Sequence, residues 1–458
     1  MILLKFGGSS VRDAEWITRT IRIAESQLDR APVLVASAMG KTTDALVGAA
    51  ESARAGDHAA VVAAVDALEA SHEEALRAVG PSAGVEPASP RSLGDAESPV
   101  ARLRALFQEM RNLLQGVTLI RECSPRTMDA LLSFGERLST LIIYAGAQAR
   151  GVSCTLHDSR ELISTDSNFG AAAPDFPETT RLLRAAVRPR AGELSILQGF
   201  IGSDPSGVTT TLGRGGSDYT ATIVGAALGA EEVQIWTDVD GIMSADPRIV
   251  PEARTLRDIS YVEAAELAFF GARVVHPSTI QPAIEHGIPV YVRNTARPDS
   301  PGTRITGEFA QRGVRALTLK PGITVITVNS YRMLNAYGFL SRIFGVFARH
   351  QVSVDLVATS EVSVSTTVDT PHDITGVVRD LEEHGQVTVE REKAILSLVG
   401  KDLWKDTGVL ARVFQTLEGI QVRLISLGSS DTNLSLVVSQ GNGVDAMRRL
   451  HDAFFSPE

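Results

Sequence analysis

Cysteine is scarce in this chain of 458 residues, in which only Cys123 and Cys154 carry thiols. Two thiols exclude a disulfide scaffold and a cysteine-rich metal site, and they are typical of a protein from a reducing compartment. No apolar run reaches the roughly 20 residues that span a membrane. Lys5 and two glycines interrupt the first apolar run too early for a signal peptide. We therefore expect a soluble, cytoplasmic protein without a membrane partner.

An excess of basic charge is also lacking. Lys and Arg total 44 against 54 Asp and Glu, which gives a formal net charge of −10, and no basic block occurs. This balance argues against nucleic acid as a partner. No HExxH pattern or histidine cluster with metal-ligand spacing is present, so no metal-ligating side chains are predicted. The apolar share of 44% is ample for packed cores, and the length predicts two or three domains.

Short apolar runs alternate with helical patterns through the first 300 residues. This alternation predicts a mainly parallel sheet with helices on both faces. Ligands of such sheets bind beyond the carboxyl ends of the strands. The Pro-, Ser- and Gly-rich stretch 81–99 predicts a loop, and the similar stretch 294–308 predicts the exit from the first domain.

An internal repeat follows this domain. FLSRIFGVFARHQVSVDLVATS, from Phe339, aligns without a gap with VLARVFQTLEGIQVRLISLGSS, from Val409. Each copy has the pattern of a strand, a helix and two strands, so we predict two small α/β units in tandem. Such a pair can stiffen a dimer, but behind a catalytic domain it more often binds a regulatory ligand.

The opening KFGGSSV combines a strand end, a lysine and a glycine turn. Gly7 and Gly8 allow backbone N–H groups to approach a ligand, and the helical pattern after them places a helix N-terminus beside Lys5. The pattern indicates an anion site, although an ordinary tight turn with an exposed lysine is an equal alternative for this stretch alone.

TTTLGRGGSDYTA is the most informative stretch. Three glycines surround Arg214, and Ser217 and Asp218 lead into a helical pattern. An arginine can hold a carboxylate through two parallel hydrogen bonds, and Ser or Asp suits a helix N-cap. The alternative, an arginine that only bridges loops, explains fewer of these residues.

Four other positions have polar side chains next to turns. Thr237 and Asp238 end a strand, Arg248 follows in a DPR step, and Glu136 lies in a Gly-Glu-Arg step. These side chains suit nucleotide, phosphate and ammonium binding, but a capped turn or a surface ion pair explains each one nearly as well. SAMGKTTD lacks the first glycine of a Walker phosphate loop.

Two anion sites, one arginine and one lysine match the needs of phosphoryl transfer, which depends on positioning and positive charge. Two alternative functions belong to other classes of protein. A nicotinamide dehydrogenase lacks support because no GxGxxG follows a strand. A catalytically silent amino-acid sensor would be favoured by loss of Lys5, Arg214 or Asp218, and all three are present.

Together these segments resemble the aspartate kinases. KFGGSSV, SAMGKTTD, SFGERLS, TTLGRGGSDYTA, WTDVDGI with DPR, and FGARVVHPST occur in that family's order. TSEVSVS and the repeat resemble its paired ACT domains. The resemblance implies an amino-acid-kinase-type α/β domain and two C-terminal ferredoxin-like ACT units. It also implies transfer of the γ-phosphoryl group of ATP, with Mg²⁺, to the β-carboxylate of L-aspartate, the first step toward lysine, threonine and methionine. The alternative within the same fold is another amino-acid carboxylate, such as an acetylated glutamate.

The resemblance also assigns roles to individual residues. The catalytic positions fall on Lys5, Gly7, Gly8 and Asp218. The aspartate-binding positions fall on Thr43, Glu136, Arg214 and Ser217. The nucleotide-binding positions, besides Lys5, Gly7 and Gly8, fall on Thr237, Asp238, Met243, Arg248, Arg273 and Val274. Many relatives carry tyrosine at Met243 and lysine at Arg273; Met243 offers no hydroxyl, and Arg273 keeps the charge with a different donor geometry.

The form SVDLVATSEVSVS is most similar to the lysine-inhibited class. The effector contacts implied are Met333, Phe339, Leu340, Val354, Asp355, Ser360 and Glu361. Asp355 and Glu361 suit the two ammonium groups of L-lysine, whereas the second repeat has Ile425 opposite Asp355. L-threonine is the alternative effector, and the ACT domains imply a homodimer.

The domain bounds that we predict are 1–300 for the catalytic domain, 321–392 for the first ACT domain and 393–458 for the second. A strand from 314–320 is expected to complete the second ACT domain.

Overall fold

A computed structural model describes residues 1–80, 98–270, 277–308, 311–334, 336–370, 373–428 and 430–456. The chain divides into two compact units. One comprises Met1–Gly241 and Val274–Gly307, and the other Ile242–Arg273 and Glu308–Glu458. Most of the predicted loop 81–99 lies outside the described residues.

The strands alternate with helices in the first part of the chain and occur in long antiparallel runs later. In chain order they are β1 (Ile2–Phe6), β2 (Pro32–Ala36), β3 (Ser153–Leu156), β4 (Glu193–Gln198), β5 (Ile201–Ser203), β6 (Thr209–Thr211), β7 (Glu232–Thr237), β8 (Asp258–Ser260), β9 (Val290–Asn294), β10 (Thr303–Thr306), β11 (Gly313–Asn329), β12 (Val357–Thr359), β13 (Ser363–Asp369), β14 (Gln386–Lys401), β15 (Val422–Leu427) and β16 (Asn433–Ser439).

The helices range from one turn to seven turns. In chain order they are α1 (Ala14–Glu25), α2 (Thr42–Ala55), α3 (His58–Val79), α4 (Pro99–Ile120), α5 (Pro125–Ala149), α6 (Phe176–Ala186), α7 (Gly216–Leu228), α8 (Tyr261–Phe269), α9 (Gln281–Glu285), α10 (Phe339–Arg349), α11 (Thr375–Glu382), α12 (Thr407–Thr416) and α13 (Gln440–Phe455). Short 3-10 turns occur at Gly8–Val11, Leu28–Arg30, Ser159–Glu161, Pro277–Thr279, Tyr331–Met333 and Leu403–Lys405.

The sheet of the first unit has the strand order β3-β4-β2-β1-β7-β9-β10. Neighbouring strands are parallel, except that β10 runs antiparallel to β9. β1 is central and buried along its whole length, so it consists of a continuous apolar run apart from Lys5. The mainly parallel sheet predicted from the alternating pattern is confirmed.

Helices cover both faces of this sheet. Ile2, Leu4 and Phe6 of β1 share a core cluster with residues of α1 and α5. Lys5 points to the other face, since successive side chains of a strand alternate, and there it contacts Asp218 of α7. The side chains of Ile2, Leu4 and Phe6 therefore face one helical layer, and the Lys5 side chain faces the other.

The second unit contains an antiparallel sheet with the order β12-β13-β11-β14-β16-β15. Each repeat contributes a long strand, a helix, two strands and a second helix. The two repeats thus share one sheet, and the predicted pair of α/β units is confirmed.

Two long strands connect the repeats. Ala316–Lys320 of β11 pair with Val399–Ile395 of β14, while Ile323–Asn329 of β11 pair with Asp369–Ser363 of β13. One strand therefore contributes its two halves to different repeats.

The domain bounds remain predictions, and the compact division differs from them because Ile242–Arg273 belongs to the second unit. Among the described residues, no helix is long and apolar enough to cross a membrane.

Candidate active site

A cavity of about 620 Å³ lies beyond the carboxyl ends of β1 and β2. This is the edge where a parallel sheet binds ligands. Predicted site residues that line the cavity are Lys5, Gly8, Thr43, Glu136, Arg214, Ser217 and Asp218. The structure therefore brings together side chains that are up to 213 positions apart in the chain.

Lys5 and Asp218 form an ion pair inside this cavity. Lys5 Nζ lies 2.6 Å from Asp218 Oδ1, and the two side chains are 10% and 14% exposed. Asp218 occupies the first turn of α7, where the helix dipole favours a negative charge. The ion pair fixes the Lys5 ammonium group near the carboxyl end of β1, so the cavity contains a cation in a defined position.

The glycines after Lys5 form a narrow backbone cradle. The Gly7 amide donates to the Trp236 carbonyl at 3.2 Å. A Cβ on Gly8 would lie 3.1 Å from the carbonyl oxygens of Ala38 and Gly40, closer than side chains normally approach. This position therefore needs glycine.

The Arg214 turn also depends on glycine. Gly213 and Gly215 both have φ of +72°, a conformation that side chains rarely adopt. A Cβ on Gly216 would lie 2.6 Å from the Phe200 ring. The turn leaves Arg214 exposed at the cavity and buries Ser217 at the start of α7.

Glu136 is a buried carboxylate with one open oxygen. The Ala38 amide donates to its Oε1 at 3.1 Å. Its Oε2 is buried and has no hydrogen-bond partner among the described residues. Burial raises the pKa of Glu136 to about 8, although the Ala38 amide and the nearby Lys5 act in the opposite direction. A bound ammonium group would satisfy this oxygen.

Asp129 is a lining residue that the sequence analysis missed. Its carboxylate accepts the amides of Gly170 and Thr211, both at 2.9 Å, and the Thr211 hydroxyl at 2.8 Å. It thereby holds the strand that leads into the Arg214 turn. The available signal was its position on α5, seven residues before Glu136 and hence on the same helix face.

Thr237 and Asp238 end β7, the strand next to β1. The Thr237 hydroxyl donates to Asp238 Oδ1 at 3.1 Å, and Asp238 is exposed. They are neighbours of the Lys5 strand but do not line the cavity. Their nucleotide role remains a prediction.

Other predicted nucleotide contacts belong to the second unit or are not described. Met243 forms an isolated bridge with Thr255. Arg248 is exposed, and its Nη2 lies 2.7 Å from Asp246 Oδ2. Arg273 and Val274 lie outside the described residues.

The predicted effector residues all lie in the first repeat. Phe339 is buried in a hydrophobic cluster, and Met333 and Val354 pack against the same cluster. Leu340 and Glu361 are exposed, and the Ser360 hydroxyl pairs with the Ser363 hydroxyl at 2.7 Å. The structure thus gathers three of the apolar residues around one core.

Asp355 already has a cationic partner in the chain itself. Lys320 Nζ lies 2.7 Å from Asp355 Oδ2 and 2.9 Å from Asp369 Oδ1, and the Asp355 side chain is only 6% exposed. Sequence reasoning missed this partner because Lys320 comes from β11, 35 positions earlier.

Comparison with known proteins first defines the class. Residues 1–294 match the amino acid kinase family, and residues 396–454 match the ACT domain. The site just described therefore lies within the part of the chain that matches the kinase family.

Curated relatives narrow this class. The lysine-sensitive aspartokinase 3 of Escherichia coli (strain K12) is 36% identical, with 99% of each chain covered. The chloroplastic aspartokinase 2 of Arabidopsis thaliana is 35% identical over all of this chain and 84% of its own length. The chain belongs to the aspartokinase family, as its motifs predicted.

Solved structures agree in fold. E. coli aspartokinase III in complex with aspartate and ADP has a TM-score of 0.81, with 36% identity and full coverage of both chains. The same enzyme in complex with lysine and aspartate has a TM-score of 0.78. The predicted combination of a kinase domain with ACT units is confirmed.

Proposed function

We propose that this chain is a feedback-regulated aspartate kinase that transfers the γ-phosphoryl group of ATP to the β-carboxylate of L-aspartate. One observation carries the proposal. The buried, unpartnered Oε2 of Glu136 lines the same cavity as the Lys5–Asp218 ion pair and the exposed Arg214. With Glu136 ionised, this cavity offers an anion to an ammonium group and cations to a carboxylate and a phosphoryl group, all of which aspartate and ATP supply.

In this proposal the ends of the substrate are held separately. Glu136 Oε2 accepts the α-ammonium group, and Arg214 binds the α-carboxylate through two parallel hydrogen bonds. Ser217 and Thr43 line the same cavity and complete the aspartate site. The β-carboxylate is then left directed toward Lys5.

Lys5 acts on the charge of the transferring group. An oxygen of the β-carboxylate forms a bond to the γ-phosphorus while the bond to the bridging oxygen breaks, giving 4-phospho-L-aspartate and ADP. Negative charge on the peripheral oxygens is neutralised by the Lys5 ammonium, which Asp218 holds in place. The Gly8 N–H is the cradle donor proposed for the phosphate, since the Gly7 N–H is donated to the Trp236 carbonyl and no side chain at Gly8 obstructs the approach.

We also propose that the enzyme uses Mg²⁺ and acts in the cytoplasm. Among the described residues no group of three His, Cys, Asp or Glu forms a metal cage. Proteins usually hold Mg²⁺ through one or two carboxylates together with substrate phosphates. Asp218, which lines the cavity, is the candidate carboxylate, and the ion would supply further positive charge for the phosphates.

Regulation by L-lysine is proposed for the first repeat. The chain resembles a lysine-sensitive relative over its whole length, and Phe339, Met333 and Val354 share one cluster. We also propose the bounds 321–392 and 393–458 for the two ACT domains, and that these domains join the subunits of a homodimer.

ATP consumption with Mg²⁺ and L-aspartate tests the proposal directly. We expect aspartate-dependent turnover that millimolar L-lysine suppresses. Turnover insensitive to lysine but suppressed by threonine would change only the effector. Folded protein without aspartate-dependent turnover would contradict the proposal and favour another carboxylate or a silent sensor.

Lys5→Ala is expected to lower kcat by about 10²- to 10³-fold with little change in the affinity for ATP, because the ammonium acts mainly on the transition state. Lys405→Ala removes the same charge from the second repeat and is the control. Unchanged kcat in Lys5→Ala, measured in the same assay, would contradict this role.

A further inference from the structure

The segment after Gly241 is part of the second unit, although it precedes the repeats by more than 40 residues. It includes Met243 and Arg248, the predicted nucleotide contacts. The segment folds back on itself, because the Ser244 amide donates to the Arg254 carbonyl and the Leu256 amide donates to the Ile242 carbonyl, both at 2.8 Å.

Apolar side chains fix this segment to the second repeat. Ala245 is 4% exposed and Val250 is 1% exposed. Both belong to a core cluster that includes Met447 and Leu450 of α13. The segment thus contributes to the core of the repeat itself, so its backbone is ordered by burial.

Polar contacts join the same two elements. The Ser244 hydroxyl accepts the Arg254 amide at 2.9 Å and lies 3.0 Å from His451 Nε2 of α13. Ser244 is 1% exposed and His451 is 2% exposed. The Ser244 hydroxyl and the His451 ring therefore share one buried hydrogen bond, in which either the hydroxyl or the ring N–H is the donor. One helical turn back from His451, Arg448 Nε donates to the Ile249 carbonyl at 2.9 Å.

We propose that α13 of the second repeat positions the nucleotide-binding segment, and that His451 is a positioning residue for ATP that acts through Ser244. This inference rests on the proposed function, since Met243 and Arg248 are assigned to the nucleotide by resemblance. A segment held in its bound conformation loses less freedom when the nucleotide binds, so the anchor raises affinity without touching the ligand.

The test is the affinity for ADP, measured by isothermal titration calorimetry on the full chain. His451→Phe keeps the ring that stacks on Phe455 but removes Nε2. Loss of one hydrogen bond is expected to raise the Kd for ADP by about three- to tenfold, with kcat at saturating ATP and the KM for aspartate unchanged. Ser244→Ala is expected to remove the same contact. The Kd for ADP of the double variant should therefore be no higher than the higher of the two single-variant values.

A matched control loses a buried hydrogen bond of the same repeat elsewhere. Ser397 and Ser435 hydroxyls lie 2.7 Å apart between β14 and β16, and both residues are fully buried. Ser397→Ala is expected to leave the Kd for ADP unchanged. If His451→Phe does not fold, His451→Gln with Ser244→Ala provides the same comparison.

The outcomes separate this inference from the proposed function. An unchanged Kd in His451→Phe, an equal rise in Ser397→Ala, or a wild-type chain that does not bind ADP would overturn the inference. ADP binding weakened by His451→Phe in a chain without aspartate-dependent turnover would support the inference and overturn the proposed function.

Discussion

At the scale of single residues, two carboxylates that line one cavity have different partners. Asp218 contacts Lys5, whereas Glu136 receives one amide hydrogen and keeps one oxygen open. Burial raises the pKa of Glu136 to about 8, because the amide hydrogen bond and the nearby Lys5 offset only part of its desolvation. The free enzyme therefore holds Glu136 mostly protonated at neutral pH.

This pKa gives a pH dependence with a definite sign. Only ionised Glu136 binds an ammonium group, and its fraction rises as the pH approaches 8. We expect kcat/KM for aspartate to rise about tenfold per pH unit below this pKa and to level off above it. The measurement is initial rate against aspartate concentration from pH 6 to 9.

Glu136→Gln is the control for this profile. The amide cannot ionise, so kcat/KM should be low and independent of pH over the same range. A rising profile that persists in Glu136→Gln would assign the titration to another group.

At the scale of elements, α3 contains a histidine that packing keeps neutral. His72 is fully buried, its ring meets Phe107 of α4 edge-on at 5.7 Å, and its Nδ1 lies 2.7 Å from the Leu68 carbonyl. Its Nε2 has no partner among the described residues. Burial lowers the pKa of His72 to about 4, so α3 packs with a neutral ring.

Acid should therefore weaken the packing of α3. The unfolded chain binds a proton at His72 below pH 6.5, whereas the folded chain does so only near pH 4, so stability is present above 6.5 and is lost as the pH falls toward 4. Relative to His72→Gln, the wild type should lose about 2 kcal/mol more of its unfolding free energy between pH 7 and pH 5. Urea unfolding at both pH values measures this.

His58, exposed in the first turn of the same helix, provides the comparison. His58→Gln should leave the pH dependence unchanged. Equal slopes for the wild type and His72→Gln would show that His72 does not control the acid response.

At the scale of the whole molecule, a lysine of the chain occupies the carboxylate predicted for the effector. Lys320 lies between Asp355 and Asp369, and its Nζ also lies 5.3 Å from the ring of Phe269 at the end of α8. An L-lysine ammonium that binds Asp355 must compete with this side chain. If L-lysine regulates the enzyme as proposed, we expect this contact to set the effector concentration for half-inhibition.

Lys320→Met removes the competing charge but keeps an unbranched apolar side chain. We expect half-inhibition of turnover at a concentration of L-lysine about three- to tenfold lower, because the full charge of Asp355 is then available to the effector. The measurement is inhibition of aspartate-dependent turnover by L-lysine. Lys405→Met is the control for charge, and unchanged inhibition in Lys320→Met would mean that Asp355 does not bind the effector ammonium.

The sequence predicted those features that depend on residues close together in the chain. The central parallel strands are buried on both faces, so runs such as that around Leu3 and Leu4 are continuous and easily recognised. The tandem repeat followed from self-alignment. Glycines at Gly8 and Gly213 marked close backbone approaches because no other residue fits there.

Features made by tertiary contact could not be predicted in this way. The bonds from Asp129 to Gly170 and Thr211 join residues up to 82 positions apart, and no local period marks them. The same holds for Lys320 beside Asp355 and for His451 beside Ser244. The membership of Ile242–Arg273 in the second unit also follows from packing alone.

The long strands β11 and β14 have a consequence for the ancestry of the regulatory region. Gly313–Asn329 enters the sheet before the first repeat is complete, yet its first half pairs beside the second repeat. A gene crossover between the repeats would separate that half-strand from its partner. The two copies, once duplicated, can therefore diverge in sequence but can be exchanged between genes only as one block.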